Sequence, residues 1–127
     1  MTFLDPDAAD TYLQGWKARI DRMAADTKAM SDRLADLRVT ASDDDGLVEV
    51  TIDSTGVLLD VRFHQRIQRA APEAVSRALM SALRAARLKA ADHTREIITE
   101  TVGSESVAAR TIAERVERQL LGASTDV

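Results

Sequence analysis

From residue 13 onward the apolar positions recur at alternating steps of three and four: Leu13, Trp16, Ile20, Met23, Thr27, Met30, Leu34 and Leu37. This spacing predicts a long helix with a coiled-coil seam of roughly four heptads. Asp5, Pro6 and Asp7 supply its start, because a carboxylate can accept from free backbone donors and proline at the first helical position loses nothing. Arg22 and Asp26, and Lys28 and Asp32, lie four apart on its flanks, as ion pairs on a solvated face do.

Across residues 38 to 63 the period changes to two. Val39 and Ala41 alternate inward, the run Asp43, Asp44, Asp45, Gly46 supplies a turn, and Val48, Val50 and Ile52 share one face. Val57, Leu59, Val61 and Phe63 share one face of a further strand, with Gly56 closing the turn before it. The prediction is a three-stranded antiparallel meander whose opposite face bears Leu47 and Leu58.

Pro72 and Glu73 then open a second long helix, roughly 72 to 102, with a narrow stripe made by Val75, Leu79, Ala82, Ala86, Ala90, His93 and Ile97. Gly103 and Ser104 mark a stop and a new cap, and Val107, Ala108, Ile112, Val116 and Leu120 define a third, shorter amphipathic helix over 104 to 121. The fold class is therefore α+β, with residues 1–103 as a helix–sheet–helix domain and 104–127 as an additional helix and a frayed tail. The long helices are expected to leave the sheet as paired arms.

Composition sharpens this picture. The chain has 127 residues, 45% hydrophobic and 30% charged, but only 3% aromatic. Alanine buries little area, so a core built this way is thin and a homodimer is the expected remedy. No cysteine is present, which excludes a disulfide scaffold and a thiolate nucleophile or ligand. No basic stretch leads into an apolar core at the amino terminus, and no apolar run approaches about 18 residues. The expectation is a cytoplasmic protein without a membrane span.

The net charge of −4 hides a sorting by sign. Residues 39 to 61 hold six acids and no Lys or Arg, whereas residues 62 to 95 hold eight Lys and Arg against Glu73 and Asp92. At 100° per residue, Arg77, Arg84 and Arg95 fall in one sector opposite the apolar stripe of the second helix. Arg62, Arg66, Arg69, Arg87 and Lys89 add charge at its root or flank. Guanidinium groups pair phosphate oxygens without reading a base, so this row fits duplex DNA bound without sequence preference, or else merely keeps an alanine-rich helix soluble. Base stacking is not expected, since Phe63 is the only aromatic near the basic segment and alternation turns it into the core.

Other chemistry finds little support. His64 and His93 lack ligand spacing around them, so no metal and no cofactor are expected. There is no phosphate loop, nucleophile elbow or pair of acids in a plausible cleft, and the protein is not expected to be an enzyme. Trp16 follows Gly15, in the order opposite to the tryptophan–glycine turn of type VII secretion substrates, and occupies a seam position suited to packing.

The heptad-patterned first helix, the strand–turn–strand "GLVEVTIDSTGVLLDVRF" and the helix "EAVSRALMSALRAARLKAA" together resemble the YbaB/EbfC family of small bacterial nucleoid-associated proteins. The resemblance covers about residues 10 to 100. It implies a tweezer-like dimer with sheets at the joint, duplex DNA as partner and the nucleoid as location. The sequence looks closer to a divergent, actinobacterial-like branch: it has "VSRALMSALRAA" where many members carry an acidic, asparagine-containing run, and it lacks their glycine- and methionine-rich tail. Some relatives in that branch are associated with type VII secretion, which implies the alternative of a cytoplasmic interaction factor holding a helical protein partner.

Overall fold

The computed structural model describes residues 6–103 and 107–122. Its elements follow the order α1 (Pro6–Asp36), β1 (Arg38–Ser42), β2 (Val48–Asp53), β3 (Leu58–Phe63), a short 3-10 turn (Gln65–Arg69), α2 (Pro72–Thr101) and α3 (Val107–Gly122). The α+β class and the helix, meander, helix, helix order are as the periodicities predict. Asp5 and Ser104, expected as caps, lie outside the described residues.

The strands pair antiparallel in the order β1-β2-β3, with Val39 opposite Ile52 and Val50 opposite Val61. Both connections use one device, Asp-x-x-Gly. In each, the glycine amide donates to the aspartate carbonyl at 3.1 Å, and the glycine has positive φ, 68° at Gly46 and 86° at Gly56. The aspartate side chain holds the rest of the turn. Asp43 accepts from the amides of Val48 (2.8 Å) and Asp45 (3.2 Å), and Asp53 from those of Thr55 (2.9 Å) and Val57 (3.0 Å) and from the Thr55 hydroxyl (2.7 Å). Burial alone pushes the Asp53 carboxyl upward, but these donors, aided by Arg38, outweigh it and hold its pKa below the usual carboxylate range. Asp43 is itself buried, so the acidic run is not simply a solvated turn.

The two glycines differ in what surrounds them. A Cβ on Gly46 would find only the Arg66 guanidinium at 3.7 Å, whereas on Gly56 it would meet Leu120 Cδ2 at 3.1 Å. Gly56→Ala is therefore expected to cost about 1–2 kcal/mol from the backbone alone and more from the contact, exceeding Gly46→Ala. Urea unfolding with an unchanged m-value but a lower midpoint would register it.

A bulge corrects the expected faces of β3. Thr51 pairs with Asp60 but Ile52 pairs with Leu58, which leaves Leu59 as the extra residue. Leu58 thus shares the face of Ile52, and Leu47 packs against the core from the side. The opposite face is not apolar: it carries Thr40 and Thr51, whose hydroxyls hydrogen-bond at 2.9 Å, together with Glu49 and Arg62.

The second correction concerns α2, which is no free prong. Ala78, Ala82, Ala86 and Ala90 are small enough for the helix to lie flat on β1 and β2, over Val39, Val48, Val50 and Ile52. On its other flank Ala91, Thr94 and Ile98 are also buried, and Ile97 and Ile98 meet Met30 and Leu34 of α1 and Ile112 and Ala113 of α3. The Val102 and Gly103 amides end α2 on the Ile98 carbonyl, and α3 runs back along α2 until Leu120, fully buried, joins the sheet core.

The projecting element is α1. Among the described residues, its last turns alone are held, by Met30 and Leu34 and by an Arg33–Glu100 ion pair at 2.6 Å. From Asp10 to Ala29 every residue except Asp26 is exposed. The predicted seam is present but uncovered in the single chain, with Trp16 at 52% and Met23 at 66% exposure. Lys28 pairs with Asp32 at 2.6 Å, while no ion pair joins Arg22 to Asp26. Phe63 is also corrected: it lies opposite core residue Val48 yet is 50% exposed, because α2 covers β1 and β2 and leaves β3 overhanging.

Candidate nucleic-acid interface

The side chains predicted to meet phosphate sort into groups once their surroundings are fixed. Arg77 and Arg84 are exposed on α2, two turns apart. That separates them by about 10 Å along the axis. Arg69, exposed just ahead of α2, stands at the same end of the helix. Among the described residues, no carboxylate lies within ion-pair distance of Arg69, Arg77 or Arg84.

Of the remaining cations, Arg95, Arg62, Arg66 and Lys89 have partners within the chain. Arg95 lies in the same sector as Arg77 and Arg84, but its guanidinium is ion-paired with Glu117 of α3. That hydrogen bond first, then the Glu117 charge itself, with a smaller contribution from Asp92, holds the Arg95 pKa above the usual arginine value against the opposing effect of burial. Arg62 bonds Asp60 at 3.1 Å across the polar face of β3. Arg66 donates to the Asp45 carbonyl and to His64 Nδ1, tying the first hairpin turn to the 3-10 turn. Lys89 Nζ reaches the Thr40 carbonyl at 3.0 Å, along the free edge of β1. Arg87 is half-buried, with its Nε shut from solvent beside Gly56 and without a hydrogen-bond partner among the described residues.

The sequence row of arginines is thus brought onto one face, but not all of it is available there. Acidic side chains also stand near these cations. Asp43, Asp44 and Asp45 are not held far from the basic helix: with Leu47, Ala74, Arg77, Ala78 and Ser81 they line one shallow recess at its amino-terminal end. Helical geometry alone hides this neighbour, because the closeness comes from the hairpin folding over α2. Glu117 was equally out of reach, since its meeting with Arg95 depends on the antiparallel packing of α3.

His64 serves locally, its Nδ1 accepting from the Arg66 amide at 3.1 Å, and His93 is partly buried on α2. Among the described residues, no group of three or more His, Cys, Asp or Glu could hold a metal ion, and no helix is long and apolar enough to cross a membrane. What the surface can do is electrostatic: present guanidinium groups on a rigid helix at fixed spacing to a polyanion.

A sequence model of the YbaB/EbfC DNA-binding family matches residues 12–105, from the exposed part of α1 to just beyond the end of α2. Among curated proteins, none matches the chain.

Proposed function

Since the chain belongs to the YbaB/EbfC DNA-binding family, we propose that it binds duplex DNA, with little sequence preference, as a homodimer whose contacts come from arginines on α2. Arg77 and Arg84, exposed and unpaired on one line of that helix, carry this reading. Arg69, exposed in the 3-10 turn just ahead of α2, adds a third cation. The other predicted cations act mainly within the fold, where Arg66 and Lys89 hold backbone carbonyls and Arg62 holds Asp60. The family describes DNA binding rather than catalysis, and the nucleoid is the corresponding location.

Support for a second copy comes from β3. It is an edge strand with open backbone groups, and Leu58, Leu59 and Phe63 along it, with Val57 just before it, are all at least 43% exposed. Such an edge invites pairing by another chain, and a symmetric partner would place two arginine faces on one assembly.

The measurement is fluorescence anisotropy with a labelled duplex over a salt series. Three guanidinium groups per protomer engage about six phosphates per dimer, so log affinity should fall against log salt with a slope of about −5. Scrambling the duplex sequence should leave affinity nearly unchanged. A flat salt response, or a monomer by light scattering, sinks the reading.

One observation favours a second reading. Tyr12, Leu13, Trp16, Ile20 and Met23 form an uncovered apolar seam on α1, which fits an amphipathic helix of a protein partner. If the folded protein shows no DNA binding at 50 mM salt, this second reading takes the place of the first.

A further inference from the structure

Resting on the DNA reading above, we propose that Glu117 of α3 is an internal competitor for phosphate, which withholds Arg95 from the arginine row and thereby sets how many phosphates each protomer engages. Arg77 and Arg95 stand about five full turns apart, so they fall on the same line of α2. On α2 itself Arg95 differs from Arg84 in having Asp92 one turn away on the same side and Glu96 next to it, neither of which is ion-paired with it. The distinguishing group comes from elsewhere. Glu117 is ion-paired to the Arg95 guanidinium, while Arg84 has no such partner among the described residues.

The placement of Glu117 is built rather than incidental. Three residues further on, Leu120 is fully buried against the sheet core, and Val116 and Leu121 pack around it. One turn earlier, Ile112 and Ala113 rest against Ile97 and Ile98. The carboxylate is therefore anchored on both sides, beside a guanidinium whose own helix is fixed on the sheet. Carboxylate and phosphate compete for the same planar donors. The pair is nevertheless open to solvent, with side-chain exposures of 53% for Arg95 and 36% for Glu117, so exchange of one anion for the other does not require the core to open. Exposed pairs are individually weak, but Glu117 is tethered and needs no encounter from solution. Finally, α3 lies beyond residues 12–105 matched by the family model, so the competitor is supplied by a segment outside it.

The test is a double-mutant cycle in the full chain, using Glu117→Gln, Arg95→Gln and both together, with anisotropy on a labelled duplex at several salt concentrations. Glu117→Gln should bind several-fold tighter, with a slope steeper by about 0.9 for each protomer as one more phosphate is engaged. Arg95→Gln should matter much more in the Glu117→Gln background than in the wild type, giving a non-additive cycle. Glu117→Ala serves if the glutamine variant loses its far-UV circular dichroism. Wild-type affinity in both Glu117 variants overturns the proposal and leaves DNA binding intact. A gain that survives in the double variant also overturns it, since the effect would then be general loss of negative charge. If neither the wild type nor the folded Glu117 variants bind duplex, the DNA reading itself has failed.

Discussion

Replacing Arg77 and Arg84 together by glutamate is expected to lower affinity for duplex DNA by a hundredfold or more at about 100 mM salt. Both side chains are exposed on α2 and lack partners among the described residues, so reversal removes phosphate contacts without opening the core. In a dimer the change removes about four phosphate contacts, each contributing about 0.9 to the salt slope, and adds repulsion in their place. The slope should therefore shrink by between about 3 and 4 units. Including Arg95→Glu should add comparatively little, because that guanidinium already faces Glu117. Unchanged circular dichroism and an unchanged mass by light scattering are the controls. Retained affinity in the double variant would remove α2 from consideration as the DNA-binding element.

The largest stability effect is expected at Ile52. Its side chain is fully buried where β2 meets α2, among Val39, Val48, Val50 and a row of alanines. Ile52→Ala should cost about 3 kcal/mol, within the range of about 2–5 kcal/mol for such truncations. The alanine row makes collapse around the cavity difficult: α2 already lies close to the sheet, and Ala82, Ala86 and Ala90 have no longer side chains to swing into the gap. Because small domains are stable by only about 5–15 kcal/mol, one truncation removes a large share of the total. A urea midpoint within error of the wild type would show that this core does not hold the fold.

Much of the architecture was legible because period and punctuation agree. Alternation from Val48 to Ile52 could only be a strand, and Pro72 with Gly103 bracketed α2 closely. The faces of β3 were less legible. Leu58, Leu59, Asp60 and Val61 alternate acceptably in either of two frames, and a single extra residue at the bulge turns one into the other. The helical wheel of α2 likewise showed an apolar stripe but not the breadth of burial, which reaches Ala91 and Ile98 only because α1 and α3 cover a second flank. Asp43 was masked by two identical neighbours, although only the first of the three stands where it can receive the Val48 amide. The arginine row could be read from spacing alone. Its division into available and engaged side chains could not, because Glu117, the Asp45 carbonyl and the Thr40 carbonyl arrive from other elements.

Among the described residues, most of α1 packs against no other element, and this affects how the protein comes apart. A solitary helix draws its order from propensity and neighbouring turns, which sustain only marginal stability in water. Opening the outer rod and dismantling the sheet are therefore separate events, with amide protons near Trp16 exchanging through cheap local fraying while those of Val50 wait for global unfolding. Whatever comes to lie along that rod joins the two events into one cooperative unit.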